Sequence, residues 1–175
     1  MATNAIIPEA INDFNMYISG NKLVGITGEV SLAELSNITQ EISGVGVLGT
    51  FETAIIGFFE HASQEIPFRM LNEDLVGMYT PDKMLDVTLR AAQQSTVKAT
   101  GEIDFTGMRI VFRGRAEKLA LGTVKQGGQT DSSVTIGIIY ELIEISGKKL
   151  FELDKINGIF RVNGVDMLAR IKALT

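Results

Sequence analysis

The sequence predicts a mainly β protein, an antiparallel β-sandwich or partial barrel with one short helix. Three observations predict it. Several segments alternate apolar and polar residues with period two, the spacing of a half-buried strand. The eighteen glycines are scattered rather than massed, as strand ends and bulges require. No strand–helix–strand alternation occurs, which sets aside the parallel α/β classes.

The elements follow in order. "FNMYISGNKLVGI" reads as a hairpin, with Phe14, Met16 and Ile18 ahead of a Gly20-Asn21 turn. "SLAELSNITQEI" fits two readings. Ser31 and Glu34 form a capping box with Leu35, Ile38 and Ile42 at helical spacing, while Val30, Leu32, Glu34 and Ser36 fit a strand. "FETAIIGFF", "EIPFRML" and "KLFELD" are short strands. "NEDLVGMY" is the helix: Asn72 caps it, Glu73 and Asp74 suit its positive end, and it stops before Pro81. "MLDVTLRAAQ" sets Leu85, Val87, Leu89 and Ala91 against Asp86, Thr88 and Arg90. "MRIVFRGRAEK" sets Met108, Ile110, Phe112 and Ala116 against Arg109, Arg113, Arg115 and Glu117. "SVTIGIIYELIEI" puts Val134, Ile136, Ile138, Tyr140 and Leu142 on one side. The tail, "NGVDMLARIKALT", is a short helix or an extended arm. The strands over 103–119 and 132–145 are long for so small a chain, and fourteen extended residues reach roughly 45 Å. They need sharp bends or a partner outside the subunit, because long unpaired edges invite aggregation.

Composition narrows the function. A chain of 175 residues, 45% hydrophobic, suits one domain spanning 1–175. With no cysteine there is no disulfide, thiolate metal site or thiol nucleophile, and His61 is the sole histidine, expected to be packed or solvated. No metal site, cofactor or catalytic residue is expected. The net charge of −5 disfavours a broad grip on nucleic acid, though not proximity to it. The opening MATNAIIPEAINDF lacks a basic region and carries Glu9 and Asp13, so no signal peptide is expected. Without a run of eighteen apolar residues, no membrane anchor is expected either.

"GVGVLG", Gly44 to Gly49, fits the dinucleotide fingerprint G-x-G-x-x-G. That loop needs a strand feeding it and a helix leaving it. Here polar "NITQEIS" precedes it and strand-like "TFETAIIGFF" follows, so the expectation is a glycine-rich surface loop. Arg113-Gly114-Arg115 reads as a solvated or ion-paired face, and "VKQGGQTDSS" as a long hairpin loop. No carboxylate pair stands out as acid and base, so the chain is not read as an enzyme.

From Val111 onward the chain resembles the major tail tube proteins of contractile-tailed phages, the P2-type family. The residues carrying the likeness are Arg113-Gly114-Arg115, Lys125 to Asp131, Tyr140, Gly147 to Asn157, and Val162 to Leu168. Gly44 to Gly49 and Val87 to Gln94 match more loosely.

The resemblance implies a structural subunit. Homo-hexameric rings stack into a hollow tube inside a sheath, with strands pairing between subunits into a closed barrel. It also implies tape-measure and baseplate partners, assembly in the bacterial cytoplasm, and a place in a virion tail or an R-type bacteriocin particle. DNA is passing cargo, not a ligand. On this reading Gly44, Gly46, Gly49, Lys125, Gln126, Gly127, Gly128, Asp131, Asn163, Gly164 and Asp166 are subunit-interface residues. Glu117, Glu141 or Glu144 faces the lumen. The alternatives are a type VI-like secretion tube or a monomeric soluble β-barrel binding module.

Overall fold

The computed structural model describes residues 5–175. Among the described residues, eleven strands and two short helices occur in chain order. They are β1 (Ile6–Ile18), β2 (Asn21–Lys22), β3 (Asn37–Ile42), β4 (Phe51–Phe59), β5 (Ser63–Phe68), α1 (Glu73–Met78), β6 (Leu85–Val97), β7 (Ile103–Ala120), β8 (Ser132–Ile145), β9 (Lys148–Asp154), β10 (Ile159–Val162), β11 (Val165–Asp166) and α2 (Ala169–Lys172). The main sheet is antiparallel throughout, in the order β11-β10-β9-β8-β7-β6-β1-β2, with β5 also on β8. β3 and β4 form a separate two-stranded sheet.

Local chemistry sets the joints. The β1–β2, β8–β9 and β10–β11 hairpins turn on Ser19-Gly20, Ser146-Gly147 and Asn163-Gly164, each pair left-handed at both residues. That geometry matches the twist of the flanking strands. The first turn lies one residue ahead of the predicted Gly20-Asn21, because Ser19 itself takes a φ of 47° and leaves Gly20 in second place. α1 begins as the sequence predicts: the Leu75 amide donates to Asn72 Oδ1 at 2.9 Å. "SLAELSNITQEI" resolves into an irregular stretch followed by β3. The tail is neither of the two predicted forms alone but a hairpin followed by α2, a second helix.

One face of the sheet is the core. Val87, Leu89 and Ala91 of β6, Ile110, Phe112 and Ala116 of β7, and Val134, Ile136 and Ile138 of β8 are buried together. Ile66 and Phe68 of β5 and Leu75 and Met78 of α1 close it, with Val30, Ala33 and Leu35 packed against it. The buried Gln64 side chain pins that cover. Its Nε2 donates to the Ser31 and Glu65 carbonyls at 2.8 and 2.6 Å, and its Oε1 accepts from the Ala33 amide at 3.0 Å.

β8 departs from the predicted alternation. Gly114 stands opposite Ile138, yet Arg113 stands opposite Tyr140, so Ile139 is an extra, bulged residue. From there the phase flips. Tyr140 and Leu142 leave the core face, and Glu141, opposite the core residue Phe112, takes it. The flip sits where β8 changes its other neighbour, from β5 (through Gly137) to β9 (from Tyr140).

At the bulge a Cβ on Gly114 would overlap the Gly137 carbonyl oxygen. Gly114→Ala is therefore expected to destabilise the fold by about 2–3 kcal/mol in urea unfolding. Gly77→Ala, in α1 with open space around it, is expected to stabilise by roughly 0.5–1 kcal/mol.

Candidate functional site

A strand offers hydrogen-bonding groups along two edges, and both need partners. Among the described residues, β1 meets β6 along one edge but has a strand on its other edge only at Tyr17 and Ile18, opposite β2. Leu23 adds one bond to the Met16 carbonyl at 2.8 Å. Ile6–Asn15 present an edge with no strand beside it. β7 shows a second, shorter one: its pairing with β6 ends at Gly114, so Arg115–Ala120 have β8 on one side alone.

The long strands also outrun their core. The last β7–β8 pair is Met108 with Ile145, but β6 and β7 continue to Thr96 opposite Ile103, with β1 alongside. Five residues beyond Met108 make a ribbon of roughly 16 Å. Ile6, Ile7, Ile11, Ile103 and Phe105 on it are exposed. A second apolar projection is the β3–β4 hairpin. Its base is fixed by Phe59, whose ring meets Phe160 edge-on at 5.0 Å, while Phe51 and Phe58 are exposed and Val45 and Leu48 in its loop are wholly so.

Apart from Asp166, which is on β11, the predicted interface residues lie in exposed loops and turns. Gly44, Gly46 and Gly49 sit in the β3–β4 connection, all with positive φ. No helix leaves that loop, so nothing there supplies the amide cluster a pyrophosphate needs. Lys125 to Asp131 belong to the β7–β8 loop, closed at its base by Thr123 donating to the Thr130 carbonyl at 2.7 Å. Asn163 and Gly164 form the β10–β11 turn. Asp166 has a role inside the subunit that the sequence reading missed: it accepts from the Leu168 amide at 2.9 Å and Lys172 Nζ at 3.3 Å, tying α2 down. An Asp just ahead of a helical stretch is the signal that points to it. The ribbon half of β1 was also missed, since Pro8 and bulges near Glu9 and Asn12 break its alternation.

The three glutamates expected at a lumen do not share a face. Glu144 lies on the polar face, opposite Arg109, and accepts from its Nη2 at 2.6 Å. Glu117 is exposed and meets the ring of His61 at 3.0 Å. Glu141 is only 4% exposed on the core face, and its Oε2 has no hydrogen-bond partner among the described residues. Burial pushes its carboxyl up to about 7, only partly opposed by the positive charge of Lys155. On the polar face, Arg113 pairs with Asp86 at 2.7 Å and lies 4.8 Å over the Tyr140 ring. Among the described residues no cluster of His, Asp and Glu could hold a metal ion.

The family model described as phage tail tube protein FII matches residues 8–174. The chain is 27% identical over 163 residues to the tail tube protein of Escherichia phage P2, covering 93% of this chain and 94% of that protein. It is 25% identical over 163 residues to the major tail tube protein of Serratia phage KSP20, covering 92% and 91%. Among solved structures, a chain of the PVC sheath/tube terminator of an extracellular contractile injection system, in its extended state, shares the fold. Its TM-score is 0.53 at 14% identity, covering 78% of this chain and 96% of that one.

The buried carboxyl sets a pH dependence for the folded subunit. Glu141 keeps its proton in the fold above the ordinary 4.5, so the folded state binds more protons than the unfolded one between about 4.5 and 7. Its contribution to stability is greatest below that window and is lost as pH rises through it. Denaturant unfolding of Glu141→Gln against pH is expected to lack this downward slope.

Proposed function

Because the chain belongs to the phage tail tube protein FII family, we propose that it is the inner-tube subunit of a contractile injection machine, six copies closing into a ring and rings stacking into a hollow tube. The family is structural, a tail tube protein and not an enzyme. The observation that carries the finer reading is the free edge of β1 at Ile6–Asn15, beside a ribbon too long for its own core. A neighbouring copy completes that edge, and ring closure leaves no copy with β1 open. Contact between rings does not close, so it makes a filament.

The β3–β4 hairpin, with Val45 and Leu48 at its tip, and the Lys125–Asp131 loop reach the adjacent copy or ring. The lumen takes the sheet's polar face, since the opposite face is the core. Glu144 then lines the channel, where a subunit charge of −5 repels phosphates and keeps DNA moving. A sheath surrounds the tube, a reading supported by the sheath named for the contractile injection system to which one fold neighbour belongs; tape-measure and baseplate proteins are the further partners of this reading. In a virion the tube passes DNA; in a headless bacteriocin particle it only breaches the envelope. Assembly takes place in the bacterial cytoplasm.

Negative-stain microscopy of the purified chain at high concentration tests this. Rings or tubes are expected; a uniform 19.0 kDa species at every concentration overturns it. Val45→Asp with Leu48→Asp is expected to leave unfolding within about 0.5 kcal/mol of the parent while abolishing tubes. Tubes of parental length from that variant reject the hairpin's role.

A further inference from the structure

Charge is unevenly divided along the chain. Residues 1–86 hold twelve Asp and Glu against three Lys and Arg; residues 87–175 hold nine against thirteen. The fold turns this division into a difference between edges. β1 lies near one end of the main sheet and β9, β10 and β11 at the other.

The β1 edge is acidic. Glu9 and Asp13 lie on β1 itself, and Glu29 in the segment that shares a groove with Ile11–Phe14. None of the three has a salt-bridge partner among the described residues. Glu9 is held in place by Thr96 and by Gln94, whose Nε2 donates at 2.7 Å. Those bonds keep its carboxyl below the ordinary range and therefore charged.

The opposite edge is basic. Lys148, Lys149, Arg161, Arg170 and Lys172 share it with Glu152, Asp154 and Asp166. Lys149 and Arg161 divide the one carboxylate of Glu152, and Lys148 and Arg170 have no ion-pair partner among the described residues. Both edges also expose apolar side chains, Ile7 and Ile11 on one, Val165, Met167 and Ile171 on the other.

We propose that the lateral contact between copies joins these two surfaces, the acidic β1 edge of one subunit against the basic β10–β11–α2 edge of the next. The inference rests on the tube reading and names the surfaces that meet within a ring. The contact is heterologous, as ring closure requires. Either edge laid against its own kind would set like charges together, so the charges reject back-to-back dimers as well as favouring the head-to-tail contact. Exposed charges at the rim act mainly on encounter rate and register, so assembly is salt-sensitive.

Charge reversal tests it. Arg170→Glu with Lys172→Glu makes both edges acidic, and Glu9→Lys with Asp13→Lys makes both basic. Each variant alone is expected to assemble at least about tenfold more slowly than the parent at low salt, by light scattering and microscopy. An equimolar mixture is expected to recover the parental rate, since alternating copies restore every contact in an even-numbered ring. The mixture also shows that both variants fold.

A second measurement uses the chain's lack of cysteine. Ala10→Cys with Val165→Cys is expected to give an oxidised ladder of covalent oligomers beyond the dimer, and neither single variant such a ladder. Variants that assemble like the parent, a mixture no better than its parts, or a ladder absent from assembled double-cysteine protein overturns the edge assignment alone. A parent that never leaves the monomer overturns the tube reading and this assignment with it.

Discussion

Everything in this subunit answers to the pairing of backbone amides along β6, β7 and β8. Their registers fix which side chains meet, which face is dry and how far the sheet extends. The ladders run well past the layer that covers them: α1, β5 and the segment pinned by Gln64 shelter the middle of the sheet, while the ends of β1, β6 and β7 stand clear. A buried core therefore holds one part of each long strand, and the rest is held by hydrogen bonds to neighbours. The free edge of β1 follows directly, because a sheet built outward from its centre has to end somewhere.

β8 carries the second consequence. It keeps β7 along its whole length but exchanges β5 for β9, and the exchange requires one residue more than its partner has. Ile139 is that residue. Its insertion rotates Tyr140 out to receive Arg113, which also reaches Asp86 on β6, and turns Glu141 inward among apolar neighbours. A stacked, charge-tied polar face and a stranded carboxyl thus have a common origin in one bulge.

Most of the architecture was legible in the sequence. β6 and the core half of β7 alternate, apart from the buried Val111, because one face packs on the core and the other is mostly wet, and the strands over 103–119 and 132–145 were read within a residue of their ends. Asn72, Glu73 and Asp74 marked α1 because capping is local chemistry. The phase change in β8 was not legible, since a bulge depends on which strands lie alongside, and period-two reading carried Tyr140 and Leu142 onto the wrong face. The ribbon half of β1 was hidden for a related reason: Pro8 and irregular pairing with β6 blur its pattern. Gly44, Gly46, Gly49 and Gly127 marked loops, because glycine takes positive φ without strain, whereas Gly57, Gly107, Gly114 and Gly137 lie within strands. Nothing local said that Glu141 turns to the core face while Glu144 stays on the polar one.

A strand edge waiting for a sibling has no means of recognising one. Its amides and carbonyls are the same as those of any extended peptide, so a newly made subunit is briefly open to every unfolded chain around it. What guards it in that interval is the electrostatic cloud that its surplus of carboxylates maintains, a barrier that thins as salt rises. On the proposed tube reading, such a molecule keeps poorly in a crowded, idle pool, and its safeguard is prompt consumption at a growing end.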